Sequence, residues 1–131
     1  MNNKLDKILA EISAGELIDK ITILEIKKTK IKDSEKLKDI EKEFSSLRIT
    51  LKNAISDISK IQQLFDKLKS INLKLWDIEN EKRLAEKNSN FDEKFIELSR
   101  SVYKNNDERA QIKLKINNIL GSNIKEVKSH F

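Results

Sequence analysis

Residues 37–68 read LKDIEKEFSSLRITLKNAISDISKIQQLFDKL, and one regularity runs through them. Leu37, Ile40, Phe44, Leu47, Leu51, Ala54, Ile58, Ile61, Phe65 and Leu68 step by three and four without a miss. That spacing lines the apolar side chains along one face of an α-helix and reads as a coiled-coil seam. A strand alternates every second residue, and no stretch of this chain does so. No Gly or Pro interrupts the pattern, so a single helix of roughly 50 residues is allowed. A turn near Ser56-Asp57 suits a chain of 131 residues better. The next helix then runs from Ile58 to Lys87, using Ile61, Leu64, Leu68, Ile71, Leu75 and Ile78.

Downstream, Asn88-Ser89-Asn90 is the clearest turn, with Asn90 placed to cap the last helix and Glu93 at the capping-box position. That helix carries Phe91, Phe95, Leu98, Val102, Ile112, Ile116 and Ile119 and stops at Gly121. The last two helices, each about 45 Å long by their residue count, are expected to pack as an antiparallel hairpin. Upstream, Ser13 opens a capping box with Glu16, and a helix follows from Ala14 to Lys32. Leu17, Ile21, Leu24 and Ile31 form one stripe on it, while Ile23 and Ile26 lie well round from that stripe. A helix apolar on two sides touches two neighbours, so this one is central. Leu5, Ile8, Leu9 and Ile12 are spaced as a further helix face, and Ile124 and Val127 suffice to dock the tail loosely. The expectation is one all-α domain over 1–131, a long hairpin packed with one or two further helices. It divides into an N-terminal amphipathic segment (1–12), a helical core (13–121) and a C-terminal tail (122–131).

Composition excludes several function classes. The chain has no cysteine, and its one histidine, His130, stands apart. Thiolate chemistry, disulfides, zinc knuckles and clustered-imidazole metal sites are therefore not expected, and no metal or cofactor is assigned. The longest stretch free of charge, Ile116 to Ile124, is far short of the roughly 20 apolar residues of a membrane span. Lys4, Asp6, Lys7 and Glu11 break up the opening residues, unlike a signal peptide. The expected setting is the cytoplasm. The net charge of +5 comes from lysines interleaved with acids, and the one basic run, Lys27-Lys28-Thr29-Lys30 with Lys32, reads as a solvated face. Nucleic acid is not the expected partner.

The last helix breaks its own stripe with Asn105 and Arg109, beside Asn106, and the preceding helix does so with Asn72. In a hairpin centred on Ser89, Asn72 faces Asn106 and Trp76 faces Val102 and Tyr103, so the polar breaks share one layer. Two readings compete. The layer fixes register, with Arg109 paired to a carboxylate such as Glu16 or Asp19. Or it is a cleft for an anionic ligand, with Arg109 as the fork, Trp76 and Tyr103 as walls, and Lys20 and Glu16 contributing from the central helix. Asp77, Glu79 and Glu81 lack the Glu-x-x-His pattern of a di-metal bundle. Asp107 and Glu108 read as surface ion-pair residues.

Three segments carry a resemblance: Gly15-Glu16-Leu17-Ile18-Asp19-Lys20-Ile21-Thr22-Ile23-Leu24-Glu25-Ile26-Lys27; Leu75-Trp76-Asp77-Ile78-Glu79; and a third that begins at Phe91-Asp92. The third passes Val102-Tyr103, Asn106-Asp107 and Arg109-Ala110 and ends at Ile116-Asn117 and Gly121-Ser122. Over about residues 13–129 the chain resembles a family of small helical bacterial proteins known only as a domain of unknown function. The resemblance implies a helical fold and gene neighbours in surface-polysaccharide synthesis and glycosyl transfer. It carries over no catalytic residue. Members enter the Ser13 segment from an extended stretch, whereas the spacing here reads as helix. Members also carry paired acids in the tail, which here reads Glu126-Val127-Lys128-Ser129-His130-Phe131.

The expected function is a non-enzymatic helical binding or adaptor protein that takes a protein partner or a second copy of itself. The seam from Leu37 to Leu68 offers more apolar surface than one partner helix covers, so self-association is expected. The alternative is a small helical enzyme in the style of chorismate mutase, binding a carboxylate or phosphate metabolite through Arg109, Lys20 and Glu16. A third is an RNA-binding hairpin, recognisable by salt-sensitive, sequence-indifferent affinity.

Overall fold

The computed structural model describes residues 4–130, and the secondary structure is helical throughout: α1 (Ala14–Lys30), α2 (Ser34–Ala54), α3 (Gln62–Lys87) and α4 (Glu93–Leu120). A short 3-10 turn, Ile58–Ile61, leads into α3. The seam read from Leu37 to Leu68 is thus broken where the turn near Ser56-Asp57 was expected. Ile55 adopts an extended backbone, and the Asp57 carboxylate accepts the Ser59 N–H at 3.0 Å to start the 3-10 turn. Hydrogen bonding to Ser59 also lowers the Asp57 pKa below its ordinary value.

α1 is the central element and packs against α2, α3 and α4. Ser13 caps it, accepting the Glu16 N–H at 3.1 Å, and Lys27, Lys28 and Lys30 meet the negative end of its dipole. Leu17, Ile18, Ile21, Leu24 and Ile26 are buried all round it. One core joins Leu17, Ile18 and Ile21 to Leu51, Ile61, Phe65, Leu68, Ile71, Ile112 and Ile116. The seam is therefore covered by the chain's own helices: Ile40, Leu51, Ile61, Phe65 and Leu68 are buried, and Leu37, Phe44, Leu47 and Ile58 half-buried.

α3 and α4 form the long hairpin, with 26 and 28 residues. At 1.5 Å per residue that is about 39 and 42 Å, a little shorter than expected. The turn differs in detail. Asn90 does not cap α4, because its N–H bonds the Ala85 carbonyl at 2.8 Å and so closes the end of α3. Ser89 takes a left-handed backbone (φ 53), and Asp92 becomes the cap, accepting the Phe95 N–H at 3.2 Å. Phe91 consequently lies before the helix, half exposed. At the other end Gly121 closes α4 with φ 65, as its sequence position predicts. Only the open end of the hairpin is wedged by α1; near the turn Leu84, Phe91 and Ile96 stay exposed.

The N-terminal segment corrects the sequence reading. Residues 4–13 have no helix, and Leu5, Ile8 and Leu9 are 77–87% exposed. A short amphipathic pattern gains helix only from a surface that buries it, and nucleation alone is unfavourable.

Candidate functional site: a polar layer under a C-terminal strap

The polar breaks do meet, and their hub is Asp19 of α1. Its side chain is fully buried among isoleucines, where an unpaired carboxylate is costly. Arg109 of α4 grips it with both prongs: Nε donates to Oδ1 at 2.8 Å and Nη2 to Oδ2. Asn72 of α3 donates to Asp19 Oδ1 and Thr22 Oγ1, both at 2.9 Å. The Thr22 hydroxyl in turn donates a hydrogen bond to the Asp19 carbonyl oxygen at 2.7 Å. Arg109 Nη1 reaches Asn106 Oδ1 at 3.3 Å. One guanidinium, one carboxylate and two amides thus tie α1, α3 and α4 together. The hydrogen bonds it donates to Asp19 raise the Arg109 pKa above its ordinary value.

Asp19 is one of the two carboxylates expected to pair with Arg109, but the rest of the layer differs from expectation. Asn72 bonds the central helix rather than Asn106, and Asn105 bonds back to the Ser101 carbonyl at 2.8 Å. Trp76 is half-buried and Tyr103 is 54% exposed. The cavity beside Arg109 is bounded by Asn106, Lys113 and the tail, not by these two rings. Lys20 is largely exposed and reaches only Glu16, at 3.6 Å. The Glu16 carboxylate, expected to reach back to the Ser13 cap, instead binds Lys113 Nζ at 2.5 Å.

Lys113 is the residue that sequence reading missed. It lies on the α4 face of Arg109, one turn on, and serves two carboxylates, Glu16 and, at 3.2 Å, Glu126 of the tail. Burial works to lower its pKa, but the Glu16 hydrogen bond, the nearby Asp19 and Glu16 charges and the Glu126 hydrogen bond outweigh that and raise it. Next to it α1 and α4 come unusually close. A Cβ on Gly15 would collide with the Lys113 carbonyl oxygen and lie 3.0 Å from Asn117 Oδ1. The glycine lets its N–H donate to Asn117 Oδ1 at 2.6 Å, while the Ala14 N–H donates to Ser122 Oγ at 3.0 Å. The first turn of α1 is capped by the end of α4.

Beyond Ser122 the tail turns back along α4 without regular structure. Two ion pairs hold it there, Glu126 to Lys113 and Lys128 to Asp107, the second at 3.2 Å. It covers α4 incompletely. A cavity of about 390 Å³ remains between Ala110 and Leu114 on the helix and Glu126 to His130 on the tail. The N-terminal segment reaches the same end of the bundle, where Asn123 donates to Glu11 at 2.6 Å.

Elsewhere the charges are quiet. Lys28 of the basic run pairs with Glu41 at 3.0 Å and lies 4.3 Å over the Phe44 ring, and Lys69 pairs with Glu25. Among the described residues no cluster of His, Asp and Glu is arranged to hold a metal ion, and no helix is long and apolar enough to cross a membrane. In comparisons with known proteins, the model of a family of unknown function, DUF6165, matches residues 8–130. No curated protein matches the chain. No solved structure matches it.

Proposed function

We propose, for a chain that belongs to this family of unknown function, a non-catalytic role: a helical binding protein that takes a protein partner on the α4 face carrying the tail. The observation that supports it is the state of Arg109. All three of its nitrogen groups are engaged within the chain, and no buried side-chain polar atom among the described residues lacks a partner. A catalyst, or a dedicated site for a small anion, needs donors aimed at open space where the ligand's charge will sit. Here the fork grips Asp19 instead. The register-fixing reading of the polar layer is the one these bonds favour.

What the α4 face and its tail do offer is apolar surface beside charge. Leu114 is 44%, Ile124 41% and Val127 85% exposed. Leu114 borders the cavity under the tail beside Asp107, Lys113 and Lys128, and an exposed apolar side chain rimmed by charged ones is a usual mark of a protein-binding surface. The alternative enzyme-like role is tested by isothermal titration with acetate, succinate, citrate and inorganic phosphate. No saturable heat is expected. Binding tighter than about 100 µM by any of them, with chemical-shift changes at the Arg109 guanidinium, would overturn the reading.

A further inference from the structure

We infer that the cleft between the start of α3 and the end of α4 binds an acidic, extended segment of a partner protein. Where the 3-10 turn enters α3, Lys60 and Lys67 share with Lys115 of α4 the lining of a cavity of about 570 Å³. No acid lines it. The site lies apart from the tail, since none of its residues borders the cavities under residues 126–130. It therefore goes beyond the binding reading above and does not depend on it.

Charge, spacing and lining together select the occupant. Several lysines elsewhere are answered within the chain, Lys28 by Glu41, Lys69 by Glu25 and Lys113 by Glu16. Lys60, Lys67 and Lys115 form no ion pair among the described residues. The two acids nearest to Lys60 and Lys67 in sequence are engaged: Asp57 accepts the Ser59 N–H and hydroxyl, and Asp66 accepts the Gln62 amide at 3.0 Å. Asp57 feels the Lys60 charge without pairing with it. Uncompensated cations in a concave site call for an anionic partner. Lys60 and Lys67 stand seven residues apart, about 10 Å along the helix axis. Carboxylates on an extended chain, at about 3.3 Å per residue, reach both, whereas one small anion does not. Leu64, half-buried, and Ile119, 51% exposed, add apolar surface between the lysines for an aliphatic side chain. No aromatic ring lines the cleft for a base to stack on, and its cations are lysines rather than arginine forks, which favours peptide over single-stranded nucleic acid. A second cavity, of about 380 Å³, borders the same connection at Ser56 and Ile58, and its only charged residues are Arg48 and Lys52. A longer acidic segment has cations to run on to.

The test uses the full chain and a fluorescein-labelled (Glu-Asp-Leu)3 peptide, with binding read by anisotropy. The wild type should bind it saturably, and more weakly as salt is added. Lys60→Glu, Lys67→Glu and Lys115→Glu together should weaken binding by about tenfold or more, because three exposed ion pairs are lost and three repulsions gained. All three side chains are exposed, and a circular dichroism melt checks that the fold survives. The milder pair Lys67→Gln and Lys115→Gln, which adds no repulsion, should weaken binding by about threefold. A control carrying Lys36→Glu, Lys94→Glu and Lys104→Glu, at exposed lysines outside the cleft, changes the net charge equally and should stay within about twofold of the wild type. Equal binding by the cleft and control variants, or no saturation of the wild type up to about 1 mM peptide, would overturn the inference. So would preference of the wild type for oligouridine, or for vesicles of equimolar phosphatidylserine and phosphatidylcholine, over the peptide. None of these outcomes involves the tail face or Arg109, so the binding reading stands or falls separately.

Discussion

Replacing Arg109 by methionine isolates the central claim about the polar layer. The substitution keeps the aliphatic stem and removes the fork. Asp19 is fully buried and accepts three side-chain hydrogen bonds, two from Arg109 and one from Asn72. Only the Asn72 bond survives. Breaking a buried ion pair by removing one partner costs about 3–5 kcal/mol, because a charge is left without its counter-ion. The Arg109 side chain is 28% exposed, so water reaches the vacated space and the expected loss sits near the low end, about 3 kcal/mol. For a chain of this length that lowers the melting temperature by roughly 10 °C. Asp19→Asn alone should cost less, about 2 kcal/mol, since the guanidinium it strands can turn to solvent. The decisive term is the double variant. With both charges gone the new amide keeps Asn72 as its donor, so Asp19→Asn should cost almost nothing in the Arg109→Met background. The coupling between the two sites should exceed about 1.5 kcal/mol. Urea denaturation followed by circular dichroism at 222 nm measures all four proteins. Additive effects, or an Arg109→Met loss below about 1 kcal/mol, would refute the reasoning.

The close approach of α1 to α4 makes Gly15→Ala destabilising by about 2 kcal/mol despite alanine's better helix propensity, since the atom it meets is a backbone carbonyl that cannot turn away; a gain in stability would contradict the geometry. Asn117→Ala leaves the Gly15 N–H without its acceptor and should cost about 2 kcal/mol, against about 1 kcal/mol or less for Ser122→Ala at the half-buried neighbouring cap. The raised Lys113 pKa also has a pH signature. Its stabilising contribution is complete below the unfolded-state value, about 10.4, and is lost as pH rises through the higher folded value. Between pH 9 and 12 the wild type should therefore lose more stability than Lys113→Met, and parallel profiles in urea melts would exclude the effect.

The helices were legible because helix formation is local. The steps of three and four from Leu37 to Leu68, the cap at Ser13 and the stop at Gly121 each depend on residues a few positions apart, and each appears in the structure. Where two local signals were equivalent, the choice fell to contacts that no short window contains. Asn90 and Asp92 are both competent caps, and the outcome turned on Asn90 donating back to Ala85. Leu5, Ile8, Leu9 and Ile12 had helical spacing but no surface to lie on. The seam has the opposite history. Its apparent surplus was the argument for self-association, and α1 of the same chain takes up much of that surface.

The site was half legible for a related reason. Asn72, Asn106 and Arg109 stood out as polar residues on apolar stripes, and that signal survives whatever the partner is. The partner did not follow from hairpin symmetry, because the hairpin is not a two-helix object at this layer: α1 lies in it. Asp19 carried a signal of its own. It precedes Ile23 by four residues and Ile26 by seven, so it shares the second apolar stripe of a helix with little solvated face left. A carboxylate there must find a cation, and Arg109 is the cation that interrupts the facing stripe. The pairing also explains what the layer does that leucines would not. If α1 slid one turn along the hairpin, the ridges of isoleucine and leucine would still mesh. Asp19 would then move about 5.4 Å from the Arg109 fork and both charges would be stranded. The apolar core supplies the adhesion between these helices, and the Asp19–Arg109 pair decides at which height they adhere.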